Sequence, residues 1–199
     1  MFLIAFTLMV AAHGLMGWLG ARFFRRSGEG ARLRFRLLGS YVLSLSSWEL
    51  VAALRQPPEW GWSVVAVPTY TLAMALMLAA KAAHGRRAPD YIGSPAVPGL
   101  LVVSGPYRWI RHPFYSAYLL VLAASLAMAG ASWPLVAATA GLVAVFVGSA
   151  TREEAQLLAS PLGPRYRLWQ KRSGMFFPRL LRRANEQQPS PSDLCRMIR

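Results

Sequence analysis

The chain is short of two things, acid and cysteine. Eight Asp and Glu stand against 22 Lys and Arg, so 199 residues carry a net charge of +14 although only 15% of them are charged. The single cysteine, Cys195, excludes a disulfide framework and a clustered cysteine metal site. There is no glycine-rich phosphate loop and no internal repeat, which removes the nucleotide-cradling loops and the solenoid folds. Apolar residues, by contrast, are abundant: 55% of the chain is hydrophobic and the mean hydropathy is +0.34. A chain this apolar needs a covering other than water, while its basic charge must stay hydrated, so the charges belong in blocks outside the hydrophobic segments. That combination excludes intrinsic disorder and argues against a soluble nucleic-acid-binding domain, so no nucleic-acid partner is expected. The length allows one domain.

Windows long enough to cross about 30 Å of hydrocarbon, or about 20 helical residues, fall at roughly 2–21, 37–54, 62–80, 113–130 and 133–150. The first lacks a basic leader and runs too long before Arg22 for a cleaved secretory signal, so it reads as a retained helix. Loops on the cytoplasmic side of membranes are enriched in Lys and Arg. Arg55 alone lies in an even-numbered gap; the other 21 basic residues alternate onto one side. The expected fold is therefore all-α, a polytopic membrane bundle of five transmembrane helices with the N-terminus outside and the C-terminus cytoplasmic. Residues 1–183 would form the single domain, and 184–199 have the composition of a disordered tail. The lipid bilayer is the expected surrounding, the inner membrane of a bacterium the expected location.

Residues 85–106 are broken by Gly85, Pro89, Gly93, Pro95, Pro98, Gly99, Gly105 and Pro106, and enclose an apolar run, Leu100 to Val103, too short to span. The densest chemistry follows, from Ser104 to Tyr115. Pro113 fits the first turn of a helix, where its missing N–H is an orphan anyway, and His112 before it is pushed toward extended geometry. Two readings stand for the surrounding Tyr107, Arg108, Arg111, His112 and Tyr115: an interfacial anchor, or a carboxylate or phosphate site at a helix N-terminus. Glu153 and Glu154 leave the fifth segment on a face that is otherwise basic. Acids at a helix C-terminus oppose the dipole, so either the helix continues, as Leu157, Leu158 and Pro161 suggest for about two turns, or the carboxylates have partners, arginines or a ligand. Residues 163–172 form a basic amphipathic stretch that either lies on an anionic leaflet or closes over a pocket.

Glu49 is the one acid inside a span; near the outer end and six residues before Arg55, it reads as a structural partner or a snorkelling acid. His13 reads as a satisfied bundle histidine, His84 as a solvated loop end. Trp48, Trp60, Trp62 and Trp133 form an outer aromatic belt.

The ordered set Gly105-Pro-Tyr-Arg, Arg111-His-Pro-x-Tyr115, one membrane hairpin, Glu153-Glu-x-x-Leu157, Gly163-x-x-Tyr166 and a late Phe177-Pro178 resembles the integral membrane methyltransferases, the isoprenylcysteine carboxyl and phospholipid methyltransferases. It covers about residues 99–178; the first three helices match only in hydropathy. The resemblance implies S-adenosylmethionine as methyl donor, S-adenosylhomocysteine as product and no metal. It implies donor contacts from Gly99, Leu100, Leu101, Val102, Tyr107, His112, Pro113, Phe114, Tyr115 and Glu154, with Glu153 the neighbouring candidate. Arg111, His112 and Arg152 are the implied catalytic residues. The acceptor-contacting arginine of the isoprenylcysteine enzymes falls near Ala150, and Arg152 only approximates it; Ala117 replaces a glycine usual in the motif. A lipid-like or small hydrophobic acceptor is implied, methylated as a carboxylate or, in the sister enzymes, as an amine. A non-catalytic basic adaptor or a small transporter is the other class, although spans nearly free of polar lining argue against transport.

Overall fold

The computed structural model describes residues 1–23, 29–55, 58–85 and 101–179, and within them the chain is helical. Six helices run in order: α1 Phe2–Arg22, α2 Glu29–Arg55, α3 Trp60–His84, α4 Pro113–Met128, α5 Trp133–Ala159 and α6 Gly163–Arg172. A short 3₁₀ turn, Gly105–Arg108, precedes α4. Among the described residues no strand forms, only an isolated parallel bridge between Ile110 and Gly174.

Four stretches are long and apolar enough to cross a membrane: Phe2–Arg22, Arg36–Arg55, Trp60–His84 and Trp133–Ala159. Large apolar side chains such as Leu3, Leu43, Leu72 and Leu78 face outward along them, a covering only lipid accepts. This supports an integral membrane protein. Among the described residues, four of the five expected spans are helices of full length, and the remaining one, α4, is shorter. With 16 residues, α4 is about 24 Å long, short of the hydrocarbon thickness. It begins at Pro113 and ends just before Gly130, whose φ of +69° is the left-handed turn a glycine adopts freely. Eleven of its 16 residues are buried, and it packs chiefly on α3, so protein rather than lipid surrounds it.

Helix packing follows from spacing. The buried residues of α3, Ser63, Ala66, Tyr70, Ala73, Met77 and Ala80, recur every three or four positions, and the alanines let α1 and α4 approach closely. Ala117, at the position where the resembled motif has glycine, is fully buried. In the opposite half of the bundle His13 Nδ1 lies 2.8 Å from the Met9 carbonyl and Nε2 lies 3.2 Å from Glu49 Oε2. The carbonyl only accepts, so Nδ1 carries a hydrogen, and the Nε2–carboxyl contact requires one further shared proton. Glu49 thus pairs with α1 and not with Arg55, a structural partner as expected. Trp48, Trp60, Trp62 and Trp133 are exposed.

Candidate functional site

At 27 residues and about 40 Å, α5 outruns the hydrocarbon, so its last turns beyond residue 150 stand clear of the spanning stretch, as the sequence suggests. Glu153 and Glu154 sit there. Opposite them the chain enters α4 through Trp109–His112, and this segment is tied to the residues that follow α6. Arg111 N–H donates to the Gly174 carbonyl at 2.8 Å, His112 N–H to Met175 at 3.1 Å, and Gly174 N–H to Trp109 at 2.9 Å. Ser116 Oγ donates to the Phe176 carbonyl at 2.6 Å.

Arg111 and Glu154 form the centre. The guanidinium Nε donates to Glu154 Oε1 at 2.7 Å and Nη2 reaches Oε2 at 3.4 Å, while Nη1 donates to the Gln170 and Ser173 carbonyls. Both side chains are only 8% exposed. Gln170 Nε2 donates to Glu154 Oε2 at 2.8 Å, and His112 Nε2 stands 3.2 Å from Oε1. Burial raises the Glu154 carboxyl, but hydrogen bonds from His112 and Arg111, with the charges of Arg111 and His112, outweigh it and hold the group at about 2. Glu154 is therefore an anion throughout the physiological range. Glu153 takes the Tyr115 hydroxyl at 2.6 Å and lies 3.7 Å from His112 Nδ1, so the imidazole sits between two carboxylates.

A second layer supports the first. Trp169 Nε1 donates to the Tyr107 carbonyl at 2.9 Å, and Tyr166 is fully buried edge-on against Trp169. Helix α6 thus closes over the cluster with one face and keeps Arg165, Arg167, Lys171 and Arg172 exposed on the other. Of its two readings from sequence, the closing one matches these contacts. Tyr115 stacks on Phe146 at 5.5 Å, and Ala150 is fully buried on the same side of α5. Beneath Tyr107 lies a group no sequence signal marked. His84 Nε2 is 2.8 Å from the Tyr107 hydroxyl, and its ring packs edge-on to Tyr107 and 6.3 Å from Phe114, with Phe23 alongside. His84 is a packed partner, which corrects its reading as a solvated loop end. Burial raises the Tyr107 hydroxyl well above its ordinary range, so it serves as a neutral hydrogen-bonding group.

The expected residues divide clearly. Arg111, His112, Tyr115, Glu153 and Glu154 meet in one cluster, with Pro113 at the first turn of α4; Tyr107 and Phe114 form the adjoining aromatic layer. Leu101 and Val102 lie half-buried in the coil before the 3₁₀ turn, Val102 against the core. Gly99, Leu100, Cys195 and the tail 184–199 lie outside the described residues. Arg152 does not join: it is exposed and turns back to bond the Gly148 carbonyl at 3.2 Å, because two residues along a helix are 200° of rotation from Glu154. Arg108 is also outside, exposed over the exposed Trp109 ring. Trp169 and Gln170, which the sequence offered only as part of the basic stretch 163–172, and Gly174 through Phe176 also join the cluster, each reaching its partner only through the fold.

Comparison with known proteins fits this arrangement. Residues 64–160 match the model of the isoprenylcysteine carboxyl methyltransferase (ICMT) family. No curated protein and no solved structure matches the chain.

Proposed function

From a chain that belongs to the isoprenylcysteine carboxyl methyltransferase family, a family of membrane methyltransferases, we propose an S-adenosylmethionine-dependent enzyme that methylates a lipid-like or small hydrophobic acceptor, its donor site the Arg111–His112–Glu153–Glu154 cluster. The observation that carries this reading is the buried Arg111–Glu154 pair at 2.7 Å beside the N-terminus of α4.

The residues fit the donor by charge. Its amino-acid end is a zwitterion, and a buried ion pair offers each of those charges its opposite. Glu154 would take the ammonium, while Arg111, His112 and the positive end of α4 take the carboxylate. Such an exchange leaves the number of buried charges of each sign balanced, which matters where unpaired charge is expensive. Gln170 fixes the orientation of the Glu154 carboxylate, and Tyr115 does the same for Glu153. When bound, S-adenosylmethionine supplies an electrophilic methyl group on a sulfonium. The chain contributes alignment and dryness: Phe146 and Ala150 form an apolar wall below the charges, and the α6 face with Tyr166 and Trp169 shuts out water above. The excess of basic residues on this side supports a site at the cytoplasmic face, where a soluble donor would enter from water and an apolar acceptor from the bilayer.

The test uses the full chain in lipid nanodiscs. S-adenosylhomocysteine should bind stoichiometrically by calorimetry and raise the melting temperature, and radiolabelled donor should pass its methyl group to a member of a panel of prenylated thioether carboxylates, lipid amines and small hydrophobic acids. Absence of S-adenosylhomocysteine binding by the folded protein refutes the donor site. Binding without transfer to carboxylates, but with transfer to amines, would move the assignment to the sister chemistry.

A further inference from the structure

Arg152 stands outside the charged cluster, yet its position is not that of a side chain extended into water. The guanidinium Nε donates to the Gly148 carbonyl one turn back, and Nη2 lies 3.6 Å from where a side chain at Gly148 would begin. The cation is folded along its own helix. Among the described residues no carboxylate pairs with it, although Glu153 is next to it in sequence.

Gly148 is also the end of a groove. A hollow of about 650 Å³ runs along the outer side of α5 over Val136, Ala140, Val143, Ala144, Val147 and Gly148, with Leu126 of α4 as its far wall. From Val136 to Gly148 is about 18 Å of helix, over half the hydrocarbon thickness. The side chains on the bundle face of α5, Leu142, Phe146, Ala150 and Glu154, are buried on another bearing. The groove lies on an exposed side of α5, its walls are almost wholly apolar, and Arg152, which no carboxylate pairs among the described residues, is laid over its Gly148 end. An occupant matching both must be an apolar chain ending in an anion at the interface.

We propose that this groove is a binding site for an anionic phospholipid of the surrounding leaflet, one acyl chain lying along Val136–Gly148 and the phosphate on Arg152, separate from the donor cluster. The match is one of charge and depth together: a phosphate at the membrane surface meets the guanidinium at the level where the chain below it enters the groove. Gly148 leaves this end of the groove open: a Cβ there would only touch Arg152 Nη2 at ordinary contact distance, but a large side chain would fill the space.

The experiment is lipid retention by the full chain. Protein extracted from membranes holding phosphatidylglycerol and phosphatidylethanolamine in equal amounts is purified in mild detergent, and its bound lipid is counted by native mass spectrometry. The parent should keep phosphatidylglycerol in preference by about fivefold or more. Arg152→Gln should abolish that preference. Arg108→Gln removes an equal charge from the same end and should leave it intact, which separates a site from general basic attraction. Gly148→Leu should reduce retention of the lipid altogether. The proposal falls if the parent shows no preference, or if Arg108→Gln and Arg152→Gln lower it equally. It falls too if Gly148→Leu leaves retention unchanged while splitting a dimer into monomers, which would make the groove a contact between two copies.

Discussion

Replacing Glu154 by Gln keeps the volume and removes one charge at the centre of the site. In the parent the carboxylate receives Arg111 at 2.7 and 3.4 Å, Gln170 at 2.8 Å and His112 at 3.2 Å. Breaking a buried pair by removing one partner costs about 3–5 kcal/mol. The lower end applies here, because Arg111 keeps the Gln170 and Ser173 carbonyls through Nη1. Donor binding should suffer separately. A hydrogen bond to a charged group contributes about 1.5–3 kcal/mol, so loss of the ammonium partner weakens S-adenosylhomocysteine by about 10- to 150-fold. Calorimetry in nanodiscs measures this, with circular dichroism melting run in parallel to establish that the variant is folded. Gln170→Ala, which removes only an orienting donor, should weaken binding by about fivefold, consistent with about 1 kcal/mol for one hydrogen bond. A folded Glu154→Gln protein that binds S-adenosylhomocysteine within twofold of the parent refutes the role assigned to Glu154.

The Glu154 carboxyl titrates at about 2 in the folded protein against an ordinary 4.5, so its contribution to stability is complete above about pH 4.5 and is lost as pH falls toward 2. The melting-temperature gap between parent and Glu154→Gln should be constant above pH 5 and close below it; a gap that widens on acidification contradicts the sign. Gly174→Ala should lower melting temperature and donor affinity together, since an added Cβ would strike the Phe177 carbonyl and displace the segment that holds Arg111 and His112; unchanged values for both would show that this tether is dispensable. His13→Ala leaves Glu49 fully buried without its partner and should destabilise by about 3 kcal/mol or more, whereas the paired change His13→Leu with Glu49→Leu should recover most of that in detergent melts. A double variant no better than the single would mean the pair does not act as a unit.

How much of this was readable in the chain depends on the range of the signal. Helices of 20 or more apolar residues announce themselves by composition, and Pro113 marks the start of α4 by local sterics. Its end was legible to within two residues, since the apolar run continues to Gly130 while the helix stops at Met128. Arg111, His112, Tyr115 and Glu154 were legible as a motif, but their pairing was not: Arg111 and Glu154 are 43 residues apart, and nothing in either neighbourhood names the other. Trp169 reaches the Tyr107 carbonyl across 62 residues for the same reason. Arg152 misleads in the opposite direction. It is adjacent in sequence to the acidic pair, but a helical step of about 100° per residue turns it to another face. His84 was misread because a basic neighbourhood at a helix end suggests solvent, whereas its ring is claimed by Tyr107, Phe114 and Phe23.

The bridge between Trp109–His112 and Gly174–Phe176 has a consequence for how the protein is made. Among the described residues every helix long enough to cross the bilayer is complete by Ala159, ahead of Gly174–Phe176 in the chain. The Arg111–Glu154 cluster is not complete at that point, because Arg111 is fixed by carbonyls of Gln170 and Ser173, and Ser116 by that of Phe176. Anchoring in the membrane and assembly of the site are therefore separate events in the life of one chain. A chain cut short between residues 160 and 169 would keep its acids and arginines but lack the carbonyls that fix Arg111.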